Sequence, residues 1–80
     1  MKREAVLVRD VEGKPLVRRV IKATDDTVFI ASDDAIELIE SGELYPIGFR
    51  RECVFEYDGK PLPAKIQWDK LKQWEPREIT

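Results

Sequence analysis

Thr27-Val28-Phe29-Ile30-Ala31-Ser32-Asp33-Asp34-Ala35-Ile36-Glu37-Leu38-Ile39-Glu40-Ser41-Gly42 changes its structural period once. Thr27–Ala31 is rich in β-branched and aromatic residues and reads as a strand. Ser32-Asp33-Asp34 then offers capping hydroxyl and carboxylate groups and the acidic residues that favour a helix start. Ala35, Ile36, Leu38 and Ile39 place one apolar side at helical spacing, and Gly42 suits the position just past the helix end. The helix is only about two turns long and would be marginal alone, so its apolar side must pack on a sheet.

Working back toward the N-terminus, Thr24-Asp25-Asp26 is a turn, and Pro15–Ala23 reads as a long strand. Its two alternating sets, Val17, Arg19, Ile21, Ala23 and Leu16, Arg18, Val20, Lys22, are both mixed in polarity. A bulge near Arg18-Arg19 would shift the phase. Asp10-Val11-Glu12-Gly13-Lys14 is a turn, and Ala5–Arg9 a first strand. Toward the C-terminus, Pro46 and Gly48 make Leu44–Phe49 a loop. Glu52–Tyr57 reads as the fourth strand, with Cys53, Phe55 and Tyr57 on one face and Cys53 in the core. Asp58-Gly59 signals a hairpin, after which Pro61 and Pro63 suit a sheet edge and Ala64–Trp68 reads as the fifth strand. Asp69–Trp74 adds a helical turn ended by Pro76, and the chain from about residue 69 is a C-terminal tail. Gly13-Lys14-Pro15-Leu16 recurs as Gly59-Lys60-Pro61-Leu62, which similar turn chemistry in two hairpins would explain.

The expected architecture is one mainly β domain over residues 1–80, ordered β-β-β-α-β-β. Short strands in so small a chain favour a twisted sheet curling into a partly open barrel of about five strands. Val28–Ser32, the helix to Gly42, and Ile47-Gly48-Phe49 leading into Cys53-Val54-Phe55-Glu56-Tyr57-Asp58 resemble a small SH3-like β-barrel domain of an uncharacterised bacterial protein family. That resemblance implies a shape and brings no catalytic or binding motif, because SH3-like barrels host peptide, nucleic-acid and assembly functions alike.

Composition narrows the chemistry. The chain has 80 residues, one Cys and no His. No internal disulfide and no Cys/His metal framework can be built from that set. The commonest general base is missing, and no Gly-rich phosphate loop is present. The acids Asp25, Asp26, Asp33 and Asp34 do not match the spacing of a calcium loop. The expectation is therefore a non-enzyme with no metal and no cofactor. No apolar run is long enough to span a bilayer, and the N-terminus lacks the apolar core of a signal peptide, so a cytoplasmic protein is expected.

The formal charge of -2 conceals an uneven distribution. Lys2–Lys22 holds seven basic and three acidic residues, Ala23–Phe49 holds seven acids and no Lys or Arg, and the remainder is nearly balanced. Arg50 and Arg51 follow Tyr45 and Phe49, which points to an aromatic and arginine surface together with Trp68 and Trp74. Rings supply buried area there, and guanidinium groups supply orientation and charge-assisted hydrogen bonds. Trp74, near the end of a polar tail, is the ring expected to be most exposed. The leading functional expectation is a small module binding a protein partner through that surface, as a monomer or a homodimer. The alternatives are single-stranded nucleic-acid binding, with Arg18 and Arg19 added to the same set, or an acidic inhibitor in which Asp33, Asp34 and Glu37 mimic a nucleic acid.

Overall fold

A computed structural model describes residues 3–76. Its strands are β1 (Ala5–Arg9), β2 (Pro15–Ala23), β3 (Thr27–Ala31), β4 (Ile47–Arg50) and β5 (Val54–Glu56), with one helix, α1 (Asp33–Glu40), between β3 and β4. Short 3-10 turns occupy Arg51–Cys53 and Trp68–Lys70. All five strands form one antiparallel sheet in the order β4-β3-β2-β1-β5. The sheet is not closed into a barrel, since β4 and β5 are its two outer strands and do not pair.

The sheet must nevertheless curl. Four inter-strand spacings of about 4.8 Å would hold the outer strands of a flat sheet about 19 Å apart. Only Arg51–Cys53 joins β4 to β5, and those residues are coiled as a 3-10 turn with a rise of about 2 Å each. Curling brings both edges to one core. Val54 of β5 belongs to a buried cluster with Val6, Val8, Val28, Ile30 and Trp74, and Phe49 of β4 packs against the same cluster. Val6, Val8, Val28 and Val54 are fully buried. Each such side chain contributes about 1.5–3 kcal/mol relative to exposure.

Register assigns the faces. Val6 pairs with Arg18, Val8 with Leu16, and Val28 with Phe49, so these side chains share the core face. Leu7 pairs with Val17 and with Phe55 on the opposite face. The bulge in β2 lies between Val20 and Lys22, two residues beyond the expected position. It restores the phase, so that Val20 and Ala23 both pack against the core although an odd number of residues separates their pairing steps.

Helix α1 starts and stops where the sequence indicates. Ser32 is the extended N-cap residue, and Asp33 and Asp34 occupy the first turn. Gly42 has φ of 84°, and its N–H donates to Ile39 O at 3.1 Å while Glu43 N–H donates to Leu38 O at 2.8 Å. These two bonds satisfy carbonyls that the helix end would otherwise leave free. The helix contacts β3 but buries none of its residues fully.

Three strand assignments need correction. Ile47–Arg50, read as a loop, is the edge strand β4. Gly48 serves it by leaving room, because a Cβ there would lie 3.0 Å from Thr27 Cγ2 and 3.1 Å from Phe29 Cε1. The strand expected over Glu52–Tyr57 begins only at Val54, after the 3-10 turn. Ala64–Trp68 forms no strand. The position beside β5 is taken instead by an isolated bridge from Phe55 to Gln73, flanked by Glu56 N–H to Lys72 O and Trp74 N–H to Val54 O, each 2.9 Å.

Candidate functional site

The eight side chains singled out in the sequence do not form one surface. Trp74 is the clearest correction: it is 5% exposed and sits in the core, not on a polar tail. Its bridge-side neighbour register places it beside Val54, on the inner face of the curled sheet. Its indole Nε1 is buried with no hydrogen-bond partner. Trp68 is half-buried on the other face, with its ring 5.2 Å from that of Phe55 and the Arg9 guanidinium 5.8 Å from its centroid.

The arginines also separate. Arg18 and Arg19 are adjacent on β2 and point to opposite faces. Arg19 Nε donates to Asp33 Oδ1 at 3.0 Å and its Nη1 to Arg3 O at 3.1 Å, so it ties the start of α1 to the sheet. Arg51 is half-buried, and its Nη1 donates to Asp25 O at 3.1 Å. Arg50 is exposed, with Nη1 3.6 Å from Glu52 Oε1. Arg50 and Arg51 share a shallow depression with Asp26, Thr27 and Glu52, where two carboxylates balance the two guanidinium groups.

Arg18, Tyr45 and Phe49 do converge. They line a cleft of about 300 Å³ on the core face, walled by Leu16 and Ile30 from the sheet and by Ala35 and Ile39 from α1. Phe49 forms its floor, where it packs on the core. Arg18 is half-buried in the wall, and its Nη1 donates to the carbonyl of Val17 at 2.8 Å. Tyr45 is 89% exposed at the lip, and Ile47, also lining the cleft, is 66% exposed. Leu44 lines it as well and is partly exposed, and Leu38 of α1 is a further exposed apolar side chain.

The cleft exists because α1 is short. An eight-residue helix reaches only part of the core face, and the sheet beyond it stays uncovered. Ile47 and Leu44 escaped the sequence reading because Pro46 and Gly48 mark a loop. Reading Gly48 as a point of close approach inside a strand would have put Ile47 and Phe49 on one face. Cys53 is half-buried in the 3-10 turn, a less enclosed position than the core role expected of it.

Among the described residues, no three His, Cys, Asp or Glu side chains gather where they could hold a metal ion. No helix of the described residues is long and apolar enough to cross a membrane. The chain matches no protein-family model, no curated protein and no solved structure.

Proposed function

We propose that this chain is a non-catalytic, cytoplasmic interaction module of SH3-like architecture that binds an extended protein segment along β4. The observation that carries the reading is the exposure of Tyr45 and Ile47 on the lip of an apolar cleft, beside an edge strand that pairs with β3 on one side and, among the described residues, with no strand on the other. Exposed large apolar side chains gathered at a concave site are a usual mark of an interaction surface. An unpaired edge offers backbone donors and acceptors to an added strand.

In this mechanism the partner segment pairs with β4 by backbone hydrogen bonds. Its alternate side chains point to the core face and enter the cleft over Phe49. Tyr45 and Ile47 close over them and exclude water. Arg18, already oriented by its bond to the Val17 carbonyl, offers its remaining guanidinium donors to a partner carbonyl or carboxylate. The SH3-like reading is supported by the curl that brings β4 and β5 to one core. Nucleic-acid binding is less well supported, because Arg18, Arg19, Arg50 and Arg51 do not share a face.

Selection from a random displayed-peptide library tests the proposal. Selected peptides should perturb the amide resonances of Tyr45 and of Ile47–Arg50, and Tyr45→Ala with Ile47→Asp should weaken their binding about tenfold or more. Both side chains are exposed, so the fold should survive. Peptides that shift other amides, or bind the double variant equally well, would overturn it. Self-pairing of β4 would instead show as a concentration-dependent dimer in sedimentation, lost in the same variant.

A further inference from the structure

We infer that a second cleft, under the irregular segment after β5, is a binding site for acidic, aliphatic-rich extended peptides. The cleft encloses about 600 Å³ and shares no lining residue with the cleft at β4. Leu7 forms its floor from the opposite face of the sheet, with Ile66, Leu71 and Leu62 around it. Four lysines, Lys60, Lys65, Lys70 and Lys72, line it.

The charge is segregated, not merely present. Those four are all the lysines between Val54 and Pro76, and no arginine occurs in that stretch. The same stretch holds four acids, but only Glu56 and Asp58 line the cleft, while Asp69 and Glu75 do not. Glu56 Oε2 lies 3.7 Å from Lys72 Nζ, and Asp58 Oδ1 accepts the backbone N–H of Lys60 at 2.9 Å. A net surplus of two positive charges thus surrounds an apolar floor in a chain whose formal charge is -2.

The walls are built before any ligand arrives. Tyr57 Oη donates to Lys60 O at 2.8 Å, and Pro61 and Pro63 restrict the backbone of the adjoining wall. On the far side, Lys70 N–H donates to Gln67 O at 3.0 Å and Leu71 N–H to Trp68 O at 3.2 Å. A pre-ordered site loses less conformational entropy on binding.

This chemistry selects the occupant. Lysines at the rim attract carboxylates as point charges, and the aliphatic floor takes aliphatic side chains. Single-stranded nucleic acid calls for exposed rings on which bases stack. The one ring lining this cleft, Tyr57, is half-buried with its hydroxyl bonded to Lys60 O.

The test is fluorescence anisotropy at low salt on the whole chain, with three labelled probes. These are a hexapeptide alternating glutamate and leucine, its glutamine counterpart, and an oligothymidylate of matching charge. The glutamate peptide should bind, with affinity falling as salt rises. The glutamine peptide and the Lys65→Gln, Lys70→Gln variant should each lower the affinity about tenfold or more. Lys65 and Lys70 are exposed, and an unchanged amide spectrum of the sheet residues verifies the variant's fold. The Tyr45→Ala, Ile47→Asp variant should bind the glutamate peptide as the parent does, which separates this site from the one at β4. Absent binding of the glutamate peptide, equal binding of the glutamine peptide, tighter oligothymidylate binding, or loss in the Tyr45/Ile47 variant would each overturn the inference.

Discussion

Trp74 shows how one residue's role depends on its register. Being paired alongside β5 turns its ring into the core, where it joins Val6, Val8 and Val54. Trp74→Ala should cost about 3–5 kcal/mol in urea denaturation, the usual range for removing a large buried aromatic. Trp74→Phe should cost markedly less. The indole N–H is buried without a partner, so removing it relieves a desolvation cost of about 1–3 kcal/mol while most of the ring remains. A loss of about 3 kcal/mol or more for Trp74→Phe would show that the indole N–H has a partner in solution, because the substitution would then orphan that partner. Arg18 and Arg19 teach the same lesson in reverse. Adjacent in the chain and on one strand, they serve different faces: one walls a cleft, and the other bonds to the start of α1. The alternation of a strand made that divergence legible beforehand. That Trp74 would point inward was not legible, because its pairing partner lies in a strand eighteen residues or more away in chain order and sits between stretches without regular structure.

Among the elements, β4 was hidden by its own breakers. Pro46 precedes it and Gly48 interrupts it, yet Gly48 is what lets Thr27 and Phe29 of β3 pack close. Gly48→Ala should destabilise the protein by about 1–3 kcal/mol, the range for overpacking a tight contact, as read by thermal or urea unfolding. A neutral effect would mean that the Phe29 ring does not lie across β4. The repeated Gly-Lys-Pro-Leu string shows why turn chemistry alone does not make a hairpin. In the first copy, Asp10 Oδ1 accepts the N–H groups of Glu12 and Lys14, and the chain returns as β2 against β1. In the second, Asp58 Oδ1 accepts Lys60 N–H in a similar way, but no strand follows. The edge of β5 is already bridged by Gln73, and Pro63 brings a second missing donor. Helix α1 was legible at both ends because the acidic first turn and Gly42 act locally, although Ser32 makes no side-chain capping hydrogen bond. Its failure to cover the core face follows from its length.

At the scale of the whole molecule, the fold depends on both outer strands reaching one core. Val54, Phe49 and Trp74 come from the chain's second half and pack around the valines of β1 and β3. Ending the chain after Lys72 should therefore abolish the cooperative thermal transition, or lower its midpoint further than Trp74→Ala does. It removes the ring, the Gln73 bridge and the cover on β5 together. A truncated chain melting like the parent would show that the C-terminal segment only lies on the surface. The sequence by itself determined the mainly β class, the first three strands, the helix and its ends, and the uneven charge. Those features rest on period, caps and turn residues, which act within a few positions. Tertiary structure alone decided which tryptophan is core, that Ile47–Arg50 is an edge strand, and that four lysines gather around one cleft. Each of these depends on which distant segment lies alongside, and pairing across a curled sheet is set by the fit of the shared core, not by any local pattern.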